Sequence, residues 1–226
     1  MAATKPKSTD DILKLLCDSV QEVLSSVTKS PVSYSPMVQK IHKICLRPDI
    51  GTFVMFDGGF SGLVIINFSG ASAVEIYQEY MVSMGMPLEE LAQRHTSDEV
   101  GDTLAELMNQ IVGDFQASIE AEMLVSVNQS QPKMLAINKE IALSISTQME
   151  RPQSRKVGFK TAMGNLFYLE MAMEKTEFIE LHAFEKGERQ DPDHILQQNH
   201  ENKNGAATDE TSSGLVDDDL IAELGL

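Results

Sequence analysis

The sequence predicts an α/β (α+β) domain in which an antiparallel or mixed sheet carries two long helices. Three observations lead there. Apolar residues keep the helical period over residues 9–27 and again over 98–122, a glycine turn between β-rich runs marks a hairpin at 51–69, and short β-type runs crowd residues 123–173.

In chain order, Thr9-Asp10-Asp11 can cap a helix whose Ile12, Leu15, Leu16, Val20, Val23, Leu24 and Val27 share one side. A loop holding Pro31, Pro36 and Pro48 follows. In GTFVMFDGGFSGLVIINFS two β-rich runs flank Asp57-Gly58-Gly59, a hairpin signal. DGGFSG lacks the glycine spacing of a dinucleotide or Walker loop and has no following Lys-Ser/Thr, so a hairpin is preferred to a phosphate loop. A second helix runs from Ala71 to Met84, with Ala73, Val74, Ile76, Tyr77 and Tyr80 inward and Gly85 and Pro87 as its stop. Ser97-Asp98-Glu99 opens a third helix that extends to about Glu122. The β-type runs MLVSVNQ, IALSISTQM, KVGFKTAM and NLFYLEMAM come next, the last two joined through Gly164-Asn165. The domain is expected over residues 1–185. Residues 186–226 change character: they are rich in Asn, Gln and Glu, read as disordered, and hold ten acidic residues against three basic ones, a net of −7. Their end, GLVDDDLIAELGL, reads either as a short docking peptide on an acidic tether or as an inert or back-folded terminus.

The net charge of −16 argues against a grip on nucleic acid, which needs clustered Lys and Arg, and favours a basic protein partner. The 13 methionines suit plastic packing or an adaptable contact surface. Cys17 and Cys45 lie among apolar neighbours without paired spacing and read as buried free thiols of a reducing compartment. No apolar run approaches a membrane span, so no membrane association is expected and the cytoplasm is the expected location. His42, His95, His182, His194 and His200 have no metal-ligand spacing, and no metal or other cofactor is expected on this chain.

The third helix carries the one constellation that suggests chemistry. Asp102, Glu106, Asn109 and Gly113 recur at positions that form a single stripe, opposite the apolar stripe of Leu104, Leu107, Ile111, Phe115 and Ile119. An ordinary solvated face would explain the acids. Asn and Gly, however, are poor helix formers, the stripe lacks the Lys and Arg that usually lace an exposed face, and an amide offers a donor and an acceptor of fixed geometry without charge.

The D102xxxE106xxN109 spacing with a following glycine resembles the signature of the CheC/CheX/FliY phosphatases of bacterial chemotaxis. The resemblance covers roughly residues 9–182 and extends to the first helix, the FDGGFSGLVIINFS hairpin, the Ala/Glu/Tyr helix after it and the final strands, with CheX-type members the most similar. It implies hydrolysis of the aspartyl phosphate of a CheY-like receiver domain. In that reading Asn109 directs the attacking water, Glu106 pairs with the receiver's active-site lysine, and Asp102 and Gly113 are partner contacts. Mg²⁺ belongs to the receiver. CheC-like members repeat the signature on the first helix; here that region reads D18xxxE22xxS25, an exposed face whose Ser25 cannot replace the amide. A single site and a homodimer formed through the sheets are the CheX pattern. The alternative is a non-catalytic CheX-like adaptor that binds a receiver or a flagellar-switch-like partner.

Overall fold

The structure is a computed structural model that describes residues 6–137, the backbone of 141–142, and residues 152–181. The predicted 186–226 tail and its terminal peptide lie outside the described residues. In chain order the elements are β1 (Lys7–Ser8), α1 (Thr9–Thr28), β2 (Ser33–Tyr34), β3 (Gln39–Ile41), β4 (Cys45–Leu46), β5 (Ile50–Gly58), β6 (Gly62–Phe68), α2 (Gly70–Ser83), α3 (Asp98–Met123), β7 (Val127–Gln129), β8 (Lys133–Ala136), β9 (Ile141–Ala142), β10 (Gln153–Lys160), β11 (Leu166–Met173) and β12 (Glu177–Phe178). A 3₁₀ turn at Leu88–Glu90 separates α2 from α3.

The main sheet runs β2-β10-β11-β6-β5-β7, with β3 also on β10 and β8 also on β5, and every pairing is antiparallel. Of the two expected arrangements, antiparallel is therefore the one found. β6 lies inside the sheet and is buried along its whole length. Its side chains alternate between two cores: Val64, Ile66 and Phe68 meet the helices, while Leu63 and Ile65 meet Ile44 and Leu46 on the other face. Burial on both faces explains why GLVIINF is continuously apolar instead of alternating. On the helix side, Phe68 and Phe159 each stack on Phe167, with centroids 5.2 and 5.0 Å away.

Both sheet hairpins follow their predicted glycines, with Gly58 at φ +122° and Gly164 at φ +90°, where other residues are strained. The first helix begins at Thr9, the residue expected to cap it, so its N-cap lies one residue earlier. Ser8 occupies that position, and its N–H donates to Asp11 Oδ2 at 2.7 Å. Buried Arg155 ties α1 to β10 through a 2.8 Å Nε contact with Asp10. Cys17 is a core residue of α1, and burial pushes its thiol up to about 12, so it stays neutral and inert at ordinary pH. Three differences from expectation stand out. The Pro31–Pro48 segment contains β2, β3 and β4; Met123 still belongs to α3, which leaves only Val127–Gln129 of MLVSVNQ as strand; and β8 is an unanticipated strand beside β5. Of IALSISTQM, only Ile141–Ala142 falls among the described residues.

Candidate functional site

The roll of α3 is set by what it buries. Val100, Leu104, Leu107, Met108, Ile111, Val112, Phe115 and Ile119 all lie in the core, and Phe115 meets Phe56 of β5 edge-on with centroids 5.4 Å apart. The far end is fixed by Gln116, whose Nε2 donates to Val127 O at 2.8 Å, and by Leu124, which closes the helix in the left-handed region at φ 52°. A helix anchored so firmly on one side can hold the other to a fixed geometry.

That other side carries Asp102, Glu106, Asn109 and Gly113, all exposed. At the α-helical rise they span about 16 Å, with Glu106 and Asn109 roughly 4.5 Å apart along the axis. Among the described residues no ion pair involves Asp102 or Glu106, and the Asn109 amide has no hydrogen-bond partner. Gln110, which sequence reasoning passed over, sits a turn beyond Glu106 and its Nε2 donates to Glu106 Oε1 at 3.5 Å. Its i,i+4 spacing from Glu106 was the available signal. A Cβ placed on Gly113 would meet nothing within 4 Å, and Gly113 has no positive φ. Neither packing nor backbone conformation within this chain calls for glycine there.

The corresponding residues of α1 differ in kind, and here expectation is corrected. Asp18 and Ser25 are half-buried, and only Glu22 is exposed. Asp18 takes the Lys14 ammonium and accepts from the Tyr34 hydroxyl at 2.6 Å, while Ser25 Oγ accepts from Val32 N–H at 3.0 Å. Burial first, and then the hydrogen bond to Asp18, push the Tyr34 phenol upward. These residues hold the returning 31–34 segment onto α1, which is work for the fold itself.

The α3 face has no base-activated nucleophile, and among the described residues no group of three or more His, Cys, Asp or Glu could hold a metal ion. What it offers is a carboxylate that can accept from a cation, an uncharged amide that can fix a small polar molecule, and an unobstructed gap beside that amide. Such a face is suited to chemistry supplied by a second molecule docked against it.

A family model described as a protein of unknown function, DUF3334, matches residues 3–226. No curated protein matches the chain. Among solved structures, the chemotaxis protein CheX from Desulfovibrio desulfuricans aligns with a TM-score of 0.58 and 17% identity, over 73% of this chain and 99% of that one. CheX from Borrelia burgdorferi, solved in a complex with CheY, BeF₃ and Mg²⁺, aligns with a TM-score of 0.54 and 16% identity, over 73% and 98%. Thermotoga maritima FliY aligns with a TM-score of 0.53 and 14% identity, over 74% and 87%. The chain therefore has the CheX/CheC/FliY fold. Among the described residues no helix is long and apolar enough to cross a membrane.

Proposed function

Starting from a chain that belongs to the DUF3334 family of proteins of unknown function and folds like CheX, we propose that it hydrolyses the aspartyl phosphate of a CheY-like receiver domain. The observation that carries the reading is the contrast between the two helices: on α1 Asp18 and Ser25 are consumed by the fold, whereas on α3 Asn109 and Glu106 are exposed and bind no other element of it. The solved complex of Borrelia CheX with CheY supports a receiver as the partner class.

Hydrolysis of an acyl phosphate asks little of a catalyst. Water oxygen bonds to phosphorus, the bond from phosphorus to the aspartyl oxygen breaks, and that electron pair leaves with the carboxylate. Asn109 holds the water in line through its amide, which adds no charge to an already anionic centre. Glu106 pairs with the receiver's lysine, sets the register of docking, and gains strength as the interface excludes water. Asp102 makes an outer contact one turn earlier, and Gly113 lets the partner surface come close. The receiver's own Mg²⁺ supplies charge neutralisation at the phosphoryl group. The protein acts in the cytoplasm as a homodimer.

The test follows phosphate release from phosphorylated receivers of the same genome. Asn109→Ala should lower kcat by about 10²-fold with the complex intact, because a misplaced water costs that much. Glu106→Ala should chiefly raise KM. Equal release by wild type and both variants would sink the mechanism. The absence of a base-activated nucleophile on the face also fits an adaptor, which predicts a stable complex and an unchanged phosphate lifetime. A monomer at every concentration in sedimentation would remove the dimer.

A further inference from the structure

The end of α2 presents a second surface, independent of α3 and of the phosphatase reading. Residues 81–88 read MVSMGMPL. Val82 is 46% exposed, Met84 65%, Met86 39% and Leu88 52%, an uncommon concentration of large apolar side chains in water. The segment is built, since Gly85 N–H donates to Val82 O at 2.9 Å and Met86 N–H to Met81 O at 3.1 Å, with Gly85 at φ +93°. These bonds fold residues 84–86 back over the last turn, so that the four exposed apolar side chains belong to one short, ordered segment.

The charges around it have one dominant sign. Glu89 and Glu90 follow directly, both are exposed, and among the described residues neither makes an ion pair. No Lys or Arg occurs between Gln78 and Gln93, and the last turn of α2 has no base to offset its carbonyl dipoles. Ser83 Oγ ties this end of α2 to α1 by donating to Val27 O at 2.7 Å, two residues before Lys29 in the chain. Unbranched thioethers adapt their shape to an apolar partner, and a bordering pair of free carboxylates selects cations at its rim.

We propose that this patch binds a basic amphipathic helix of another protein, its apolar face on Met84, Met86 and Leu88 and its Lys or Arg edge on Glu89 and Glu90. Free carboxylates disfavour an anionic lipid surface at the same place.

The full chain is titrated into a labelled helical Leu/Lys peptide, and separately into a Leu/Glu peptide with the same apolar face, by fluorescence anisotropy. The chain carries methyl-labelled methionine for NMR. The Leu/Lys peptide should bind, move the Met84 and Met86 methyl resonances and lose affinity with salt, while the Leu/Glu peptide should not bind. Met84→Ser with Met86→Ser should weaken binding about tenfold. Glu89→Lys with Glu90→Lys, on exposed positions that leave the fold intact, should do the same and flatten the salt dependence. Asp102→Asn with Glu106→Gln should leave binding unchanged. The proposal is overturned if both peptides bind alike, if only the α3 variant loses binding, if zwitterionic vesicles compete the peptide away, or if the methionine variants dissolve a self-assembled dimer.

Discussion

Gly113 is the residue where fold and function can be separated most cleanly. Its neighbourhood is open, so a methyl group there strains nothing, and an exposed helical Gly→Ala change stabilises by about 1 kcal/mol. Gly113→Ala should therefore raise the denaturation midpoint. If the glycine keeps the surface low for a partner, the same substitution should weaken receiver binding and slow dephosphorylation. Greater stability with unchanged dephosphorylation would remove Gly113 from the contact surface. Ser25 illustrates the converse. Its hydroxyl reaches Val32 N–H because it is short and half-buried, and those are the properties that disqualify it from doing what Asn109 is proposed to do.

Between elements, Glu170 of β11 is the most demanding contact. Fully buried on the sheet face away from the helices, it accepts from Cys45 N–H at 2.8 Å and Arg47 Nε at 3.3 Å, with Lys156 Nζ at 3.7 Å. It pins β4 over Leu63 and Ile65. Removing Glu170 takes this acceptor from the buried Cys45 N–H, while Arg47, 41% exposed, regains water, so the cost is about 1–3 kcal/mol. Glu170→Ala should lose that much in urea unfolding, and Glu170→Gln less, because an amide oxygen can still receive Cys45 N–H; equal losses would assign the effect to charge alone. The sequence carried α1, α2, α3, both glycine hairpins and β11 plainly, since each has a periodic or continuous apolar pattern long enough to read. β2, β3 and β4 have two or three residues apiece, too few for any period, and exist because longer neighbours supply their partners. The α3 stripe was legible because the opposing apolar residues force it outward. The half-burial of Asp18 and Ser25 was not, because it depends on Tyr34 and Val32 returning across α1.

Across the molecule, α3 stands out by carrying charge of one sign. α3 carries Asp98, Glu99, Asp102, Glu106, Asp114, Glu120 and Glu122 without one Lys or Arg, whereas Lys40, Lys133, Arg155, Lys156 and Lys160 sit on strands. A face of one sign steers an oppositely charged partner at long range, and the Debye length shrinks from about 30 Å at 0.01 M salt to about 8 Å at 0.15 M. If α3 docks on the lysine-bearing site of a receiver, its association rate should fall steeply over that range, with hydrolysis in the formed complex nearly unchanged. Residues 186–226 hold −7 of the net −16, so salt alone does not locate the field. Asp98→Asn with Glu120→Gln does: both residues are exposed and outside the signature. Stopped-flow measurement should then give a several-fold slower association and lower kcat/KM, with kcat retained and a shallower salt slope. Association that ignores both salt and these substitutions would mean that the acids of α3 serve solubility, and that recognition resides in the few groups of the stripe alone.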